Sequence, residues 1–442
     1  MLHKPEYVRS RSALLLTWIL ALAAQFEPES GTLANRLRIH GEKLSEHVHR
    51  RGFRSVEIVQ GYYLSFLSPM PARTSIEEKT KLYTEYAFQT AADLCLDPRV
   101  KSQDLEAISA LQRDPLPRPR DDRVWLERLT RNRERTWLRV MLWERAQSIT
   151  CGLMNPFPES EITQNVCQWW LHTLADPVDR YTCAFTLLRQ QLAVAHSRIR
   201  SGVGQPRADS HWVLECITDE LRPWCETWLP KHLDARDETY VSDICLVYVY
   251  HHARLWTLCY GLHLTSKTGD HDPAAILRDC FGAAVQVCET AVRDLETIGT
   301  RLYCLHSPTW SMITYAAVLA LRLFPVLFGG EPERKVELFA LLAALGNQLV
   351  RAGSTPSHRF GVATLLGQHL LLILRDNASS LKTLSVEGRN VDSCLVCPGG
   401  ATVSHAVDGM LQLDSASYFT SQTEDDSSWH SIVESLFSEL GG

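Results

Sequence analysis

Apolar residues recur along this chain at intervals of three and four, the spacing that gathers side chains on one face of an α-helix. There is no convincing alternating strand pair and no Asn-Gly hairpin signal. The period predicts helices over Ser12–Phe26, Leu33–Arg50, Ser55–Leu67, Ile76–Leu96, Asp121–Thr130, Glu134–Thr150 and Gln164–Leu174. Further on it predicts Arg180–Ile199, Trp212–Leu221, Tyr240–His263, Ala274–Thr297, Thr309–Phe328, Pro332–Arg351 and Arg359–Arg375. Breakers separate them: Pro69 and Pro71, Pro98, the Pro115-Leu116-Pro117-Arg118-Pro119 run, Gly202 to Pro206, Pro230, Gly269 to Pro273, and Gly329-Gly330. The proline run is the best internal linker and places a loop boundary at 112–120. No fixed-period repeat argues for a regular solenoid. The expected fold is all-α, a large irregular helical array of one or two lobes over residues 1–376. A flexible, partly disordered acidic tail is expected over 377–442.

The segment from Asn132 to Gly152 is the most informative. Asn132 is suited to cap a helix by accepting from free amides, and Gly152 to close it in the left-handed conformation. Pro156 and Pro158 forbid continuation. Between the caps, Trp137, Leu138, Val140, Met141, Leu142, Trp143, Ala146 and Ile149 cover most of the circumference. A helix apolar nearly all round belongs inside a large helical domain. Glu134, Arg135, Glu144 and Arg145 are placed to flank or pin that burial.

The residues here carry a resemblance as well as a pattern. Arg135-Thr136-Trp137-Leu138, then Glu144, Ser148 and Gly152, resemble the central signature of the fungal-specific transcription factor domain. That domain is the middle homology region of binuclear zinc-cluster (Zn2Cys6) regulators. Ser55-Val56-Glu57-Ile58-Val59-Gln60 with Tyr62, Tyr63 and Leu64 looks like another helix of the same family. Tyr83, Tyr86 and Ala87 with Ala91-Ala92-Asp93-Leu94-Cys95-Leu96-Asp97 are similar to a third, with Cys95 and Asp97 replacing its usual glycine and histidine. His306-Ser307-Pro308-Thr309-Trp310, leading into Met312, Tyr315, Ala316 and Ala317, resembles a late helix of that domain. The likeness runs from about Leu14 to Leu374, and its flavour is nearest to activators of secreted-protease genes.

Charge changes the picture at one end only. The chain of 442 residues carries a net charge of −6 and has no general basic footprint for nucleic acid. After Arg389 no Lys or Arg occurs. Asp392, Asp408, Asp414, Glu424, Asp425, Asp426, Glu434 and Glu439 lie there, which leaves the rest of the chain near +2. Within this tail, Trp429, Ile432, Val433, Leu436, Phe437 and Leu440 fall on one face of a helix expected at 428–440. Such a helix is marginal in water, and acid repulsion would keep its apolar groups accessible for a hydrophobic groove on a coactivator. Arginines between Arg118 and Arg139 alternate with Asp121, Asp122, Glu127 and Glu134, so intrahelical ion pairs are expected there.

Candidate chemistry is sparse. The 13 cysteines are scattered, mostly within apolar helical patterns, as reduced thiols of an intracellular protein would be. Cys394-x-x-Cys397 with His405 falls short of four zinc ligands. His251-His252 and His47-x-His49 do not share helix faces. There is no phosphate loop, nucleophile elbow or His-Glu-x-x-His, so no catalytic or metal-binding residue is assigned and no enzyme is expected. Lys4, Arg9 and Arg11 before the apolar run Ala13–Ala24 imitate a signal peptide. That run is too short to span a bilayer and reads as the first core helix. It is also the basis for the alternative of a secreted or membrane-associated helical protein.

The resemblance implies the regulatory domain of a fungal zinc-cluster-type transcription factor, an activator controlling RNA polymerase II transcription in the nucleus. Its implied partners are a coactivator or other transcription machinery, a small-molecule effector, and a second copy in a homodimer, with no membrane. Trp212, Trp224, Trp228, Tyr248, Tyr250 and Trp256 are the residues considered for an effector pocket, against core packing as the plainer role. The family's DNA reader needs six closely spaced cysteines around two zinc ions, and no cysteine precedes Cys95 here. The chain is therefore expected to be a fragment or to have lost its own DNA contact. Zinc is expected only in a missing N-terminal module, and DNA is reached through that module or a partner.

Overall fold

The computed structural model describes residues 3–67, 80–96, 123–150, 160–202, 209–231, 239–268, 273–329 and 331–387. These residues form α-helices and no strands, as expected. The helices are α1 Pro5–Arg11, α2 Ala13–Phe26, α3 Gly31–Arg51, α4 Val56–Leu67, α5 Thr80–Asp93, α6 Arg123–Thr150, α7 Glu161–Gln164 and α8 Val166–Trp170. There follow α9 Pro177–Gly202, α10 Ser210–Trp228, α11 Tyr240–Thr268, α12 Ala274–Thr297, α13 Ser307–Phe328, α14 Pro332–Gly353 and α15 Val362–Glu387. Side-chain caps fix several starts. Ser12 accepts from the Leu15 amide at 3.2 Å, Asp209 from the Trp212 amide at 2.8 Å, and Ser160 forms a capping box with Thr163.

The N-terminal helices α2, α3, α4 and α5 pack on one another, and α6 lies against α4, α5 and α9. Beyond it, α9, α10, α11 and α12 pack in turn, and α13, α14 and α15 complete the array. Buried side chains from Leu14 to Leu374 form one connected core. Helices α13 and α14 are each apolar and long enough to cross a membrane, yet both contribute to this core. The closest helix contact joins α14 to α15. A Cβ on Gly353 would lie 2.2 Å from the Thr364 amide nitrogen, and one on Gly367 would lie 2.6 Å from the Gly346 carbonyl. Glycine is needed at both positions because backbone, which cannot swing aside, occupies the space.

Three expectations need correction. The break anticipated near Asn132 does not exist: α6 runs unbroken from Arg123 to Thr150, and Asn132 lies inside it. Its side-chain oxygen accepts from Gln60 of α4 at 2.9 Å, so a cross-helix partner replaces the cap. Second, the helix expected to end at Leu221 continues through Pro223 to Trp228, with Leu221, Trp224 and Trp228 all in the core. Third, α15 continues through Asn377 to Glu387, so helix extends past the boundary placed at 376. The expected intrahelical pairing is present at Arg131–Glu134, at 4.0 Å. Arginines of α6 are also tied across the fold: Arg131 and Arg135 to Asp179, and Arg133 to the Leu94 carbonyl at 2.8 Å. The linker at 112–120, Gly152 and the helix expected at 428–440 lie outside the described residues.

The Asp179 carboxylate is fully buried. It accepts from Arg131 Nη2 at 2.8 Å, from Nε and Nη2 of Arg135, and from the Asp176 amide at 3.1 Å. Burial alone would push its pKa up, but the hydrogen bonds and charges of Arg135 and Arg131 outweigh it and hold the carboxyl below its ordinary range. Arg131 also donates to the Trp169 carbonyl at 2.8 Å and lies over the Trp169 ring, 4.2 Å from its centroid. Trp169 Nε1 in turn donates to Glu134 at 2.9 Å. Asp179→Ala should lower stability by about 3–5 kcal/mol, because two guanidinium groups lose their carboxylate inside the protein. A urea midpoint within error of the parent would overturn this account of the α6–α9 joint.

At the end of α5, Cys95 adopts φ 49. The Leu96 amide bonds the Ala91 carbonyl and the Cys95 amide the Ala92 carbonyl, both near 3 Å, which is the Schellman pattern with cysteine in the left-handed position. Cβ makes that conformation costly for any residue but glycine. Cys95→Gly is expected to stabilise the protein by roughly 1 kcal/mol, read as a higher melting temperature. A lower one would mean that the half-buried thiol matters more than the backbone.

Candidate functional site

The segments that carry the family resemblance meet around α6. Gln60 Nε2 donates to Asn132 Oδ1 and to Thr136 Oγ1, each at 2.9 Å, and its carbonyl oxygen lies 3.1 Å from His3 Nε2. Thr136 closes the group with a 2.8 Å bond to the Asn132 carbonyl. Glu57, one turn before Gln60, is buried and accepts from Tyr7 at 3.1 Å. The next position on the same face of α6, Arg139, has no hydrogen-bond or ion-pair partner among the described residues. It lies near Tyr63 of α4 and near His306, which precedes α13.

A second group lies deeper. Arg189 of α9 has no hydrogen-bond or ion-pair partner among the described residues. Desolvation lowers its pKa to about 10, and no carboxylate among the described residues offsets it. Among the described residues, its titratable neighbours are imidazoles. His252 of α11 is lowered to about 4 by burial and then by Arg189, and its Nδ1 has no hydrogen-bond partner among the described residues. His196 of α9 is lowered to about 3 by burial, then by Arg189 and Arg200. Its Nε2 lies 3.4 Å from Thr257 Oγ1, and its ring meets Trp256 edge-on at 4.4 Å. Tyr315 of α13 stands edge-on to His252 at 6.1 Å and donates to Cys259 Sγ at 3.6 Å.

Arg189, His252, Tyr315 and Tyr63 are each half-buried. Along α13, Pro308, Ser311, Met312 and Tyr315 are half-buried at helical spacing, forming one face that leads from exposed His306 inward. On α11, Val249, His252 and Trp256 form a similar stripe.

The aromatic residues singled out for a pocket mostly serve the core. Trp224 is 1% exposed, stacks on Tyr250 and donates to the Ala184 carbonyl at 2.8 Å. Tyr248 is buried with its hydroxyl on Asp294 at 3.1 Å, Trp228 is buried, and Trp212 fills the space beside Gly202. Of that set, Trp256 meets the His196 ring edge-on. The arginines were missed, although a signal existed: neither Arg139 nor Arg189 has an acid three or four residues away in either direction. Among the described residues, no three His, Cys, Asp or Glu side chains come together as a metal site. Trp429, Ile432, Val433, Leu436, Phe437 and Leu440 lie outside the described residues, as do Cys394, Cys397 and His405.

Over 329 residues the chain is 26% identical to a protein described as "Protein priB" from Lentinula edodes, a match covering 73% of this chain and 50% of that protein. The chain thus spans about half the length of that relative. No protein-family profile matches the chain, and no solved structure matches it.

The two deep imidazoles set a pH dependence. In the unfolded chain they take up a proton near 6.5, whereas in the folded protein His252 and His196 resist it down to about 4 and about 3. As pH falls below 6.5 the unfolded state therefore binds more protons, and stability drops until the folded-state values are reached. Each imidazole contributes up to about 1.4 kcal/mol per pH unit in that window. His252→Gln should make the fall between pH 6.5 and 4 shallower in denaturant titrations. Equal slopes in parent and variant would show that His252 is not held neutral.

Proposed function

We propose that this chain is the regulatory domain of a fungal zinc-cluster-type transcription factor, acting in the nucleus on RNA polymerase II genes. The observation that carries the reading is the meeting of the resembling segments. Gln60 of one is bonded to Asn132 and Thr136 at the signature helix, Leu94 of another to Arg133, and His306 of the last lies near Arg139. Residues that share a family's wording but stand far apart in sequence thus hold one another in place. A catalytic role has no residue set to support it. On this reading the body is a scaffold that senses and restrains, rather than a reader of DNA, and a zinc cluster elsewhere or a partner supplies the DNA contact. The segment at 428–440, with Trp429, Leu436 and Phe437 on its apolar face, would engage a coactivator.

Tagged full-length chain, expressed in its native host, is expected in the nucleus, and disruption of its gene should change the abundance of a defined set of transcripts. Glycosylated protein recovered from the medium, with transcripts unchanged, would instead establish a secreted helical protein.

A further inference from the structure

We propose that the outer face of α2 seats a second copy of this chain, the two α2 helices lying antiparallel about a twofold axis. The inner face of α2 is already packed. Trp18 Nε1 donates to Ser45 Oγ of α3 at 3.2 Å, and a Cβ on Gly41 of α3 would lie 2.9 Å from the Trp18 ring. A Cβ on Gly61 of α4 would likewise lie 2.9 Å from the Leu14 side chain. The opposite face is open. Ala13, Leu16, Ile19, Leu20 and Ala23 lie along it, with Ile19 38% and Leu20 46% exposed. No charged residue occurs between Arg11 and Glu27. A continuous apolar stripe left in water is unfavourable and marks a contact surface.

The stripe specifies its occupant. Ala13, Leu16, Leu20 and Ala23 follow one another at spacings of three, four and three, the repeat with which one helix seats against another. In an antiparallel pair, Leu16 of one copy faces Leu20 of the other, and Ala13 faces Ala23. Large then meets large and small meets small, the self-complementarity that a twofold contact requires. Charge fixes the direction. Ahead of α2, exposed Lys4 and Arg9 outnumber exposed Glu6; beyond it, Glu27 and Glu29 are exposed, and no cation follows until Arg36. Antiparallel copies bring each basic end beside its partner's acidic end, whereas parallel copies would set like charges together. The helix dipoles are also opposed in that arrangement. An anionic lipid surface fits less well, because Glu27 and Glu29 would lie against its headgroups. This contact is a property of α2 in solution, so it stands or falls independently of the transcriptional reading.

Sedimentation equilibrium of the full chain at micromolar concentration should give twice the mass of one chain, with a melting temperature that rises with protein concentration. Leu20→Glu changes a position already exposed in the single chain. It should leave the helical circular dichroism unchanged and weaken association by about tenfold or more, because a charge enters an apolar contact. Arg9→Glu and Glu27→Arg should each weaken the dimer by roughly threefold or more, and the double variant should restore it, since the opposite charges face each other again. That pair reads the contact without touching the stripe, should Leu20→Glu not fold. A monomeric parent, a dimer indifferent to Leu20→Glu, or charge variants whose effects add instead of cancelling would overturn the contact. So would a monomer that binds phosphatidylserine vesicles and loses that binding in Leu20→Glu, which would assign the face to lipid.

Discussion

Everything in this helical array turns on the carboxylate of Asp179 and the two arginines that enclose it. Helix α6 touches the N-terminal helices on one side and α9 on the other, so its seating on α9 fixes how the two ends of the chain share one core. Apolar packing alone would let such a helix slide or rotate, because dispersion contacts are not directional. A buried carboxylate that accepts from Arg131, Arg135 and the Asp176 amide permits only one register. The desolvation of these groups makes the arrangement a weak source of stability but a demanding specification of geometry. The polar contacts of Gln60 with Asn132 and Thr136 do the same for the adjacent face of α6.

Much of this was legible in the sequence. The existence and order of most helices follow from apolar spacing, and the breakers at Gly202, Pro230 and Gly329 fall at or beside observed ends. What misled was polar residues whose partners are distant. Asn132 has the chemistry of a cap, but Gln60 occupies its side chain, so nothing interrupts α6. The arginines of α6 have acids within one turn, yet Arg135 bonds Asp179, which lies 44 positions away. Local spacing carries no trace of such contacts. Helix α1 was missed because its seven residues are too few to show a period, and only Val8 is buried.

The surroundings of two arginines, one on α6 and one on α9, were legible in part. That Arg139 and Arg189 lack acids at helical spacing can be counted from sequence. Which groups from other helices lie near them depends on how α4, α9, α11 and α13 come together. The aromatic cluster that composition highlights was instead consumed by packing, with Trp224 and Tyr248 among the largest fully buried side chains. Interior aromatic content therefore measures how much core a helical array must fill.

One tie has a bearing on how the chain is made. Arg359 lies 4.3 Å over the ring of Phe26 and donates to the carbonyls of Tyr303 and Ala352, while Gly31 sits against His358. The first helices are thus completed by residues just before the last one. During vectorial synthesis at the ribosome, α2 and α3 must wait on the order of half a minute for their partners to emerge. Their apolar faces stay open for that interval, so the nascent chain is a natural client for chaperones that shield the early helices until Arg359 arrives.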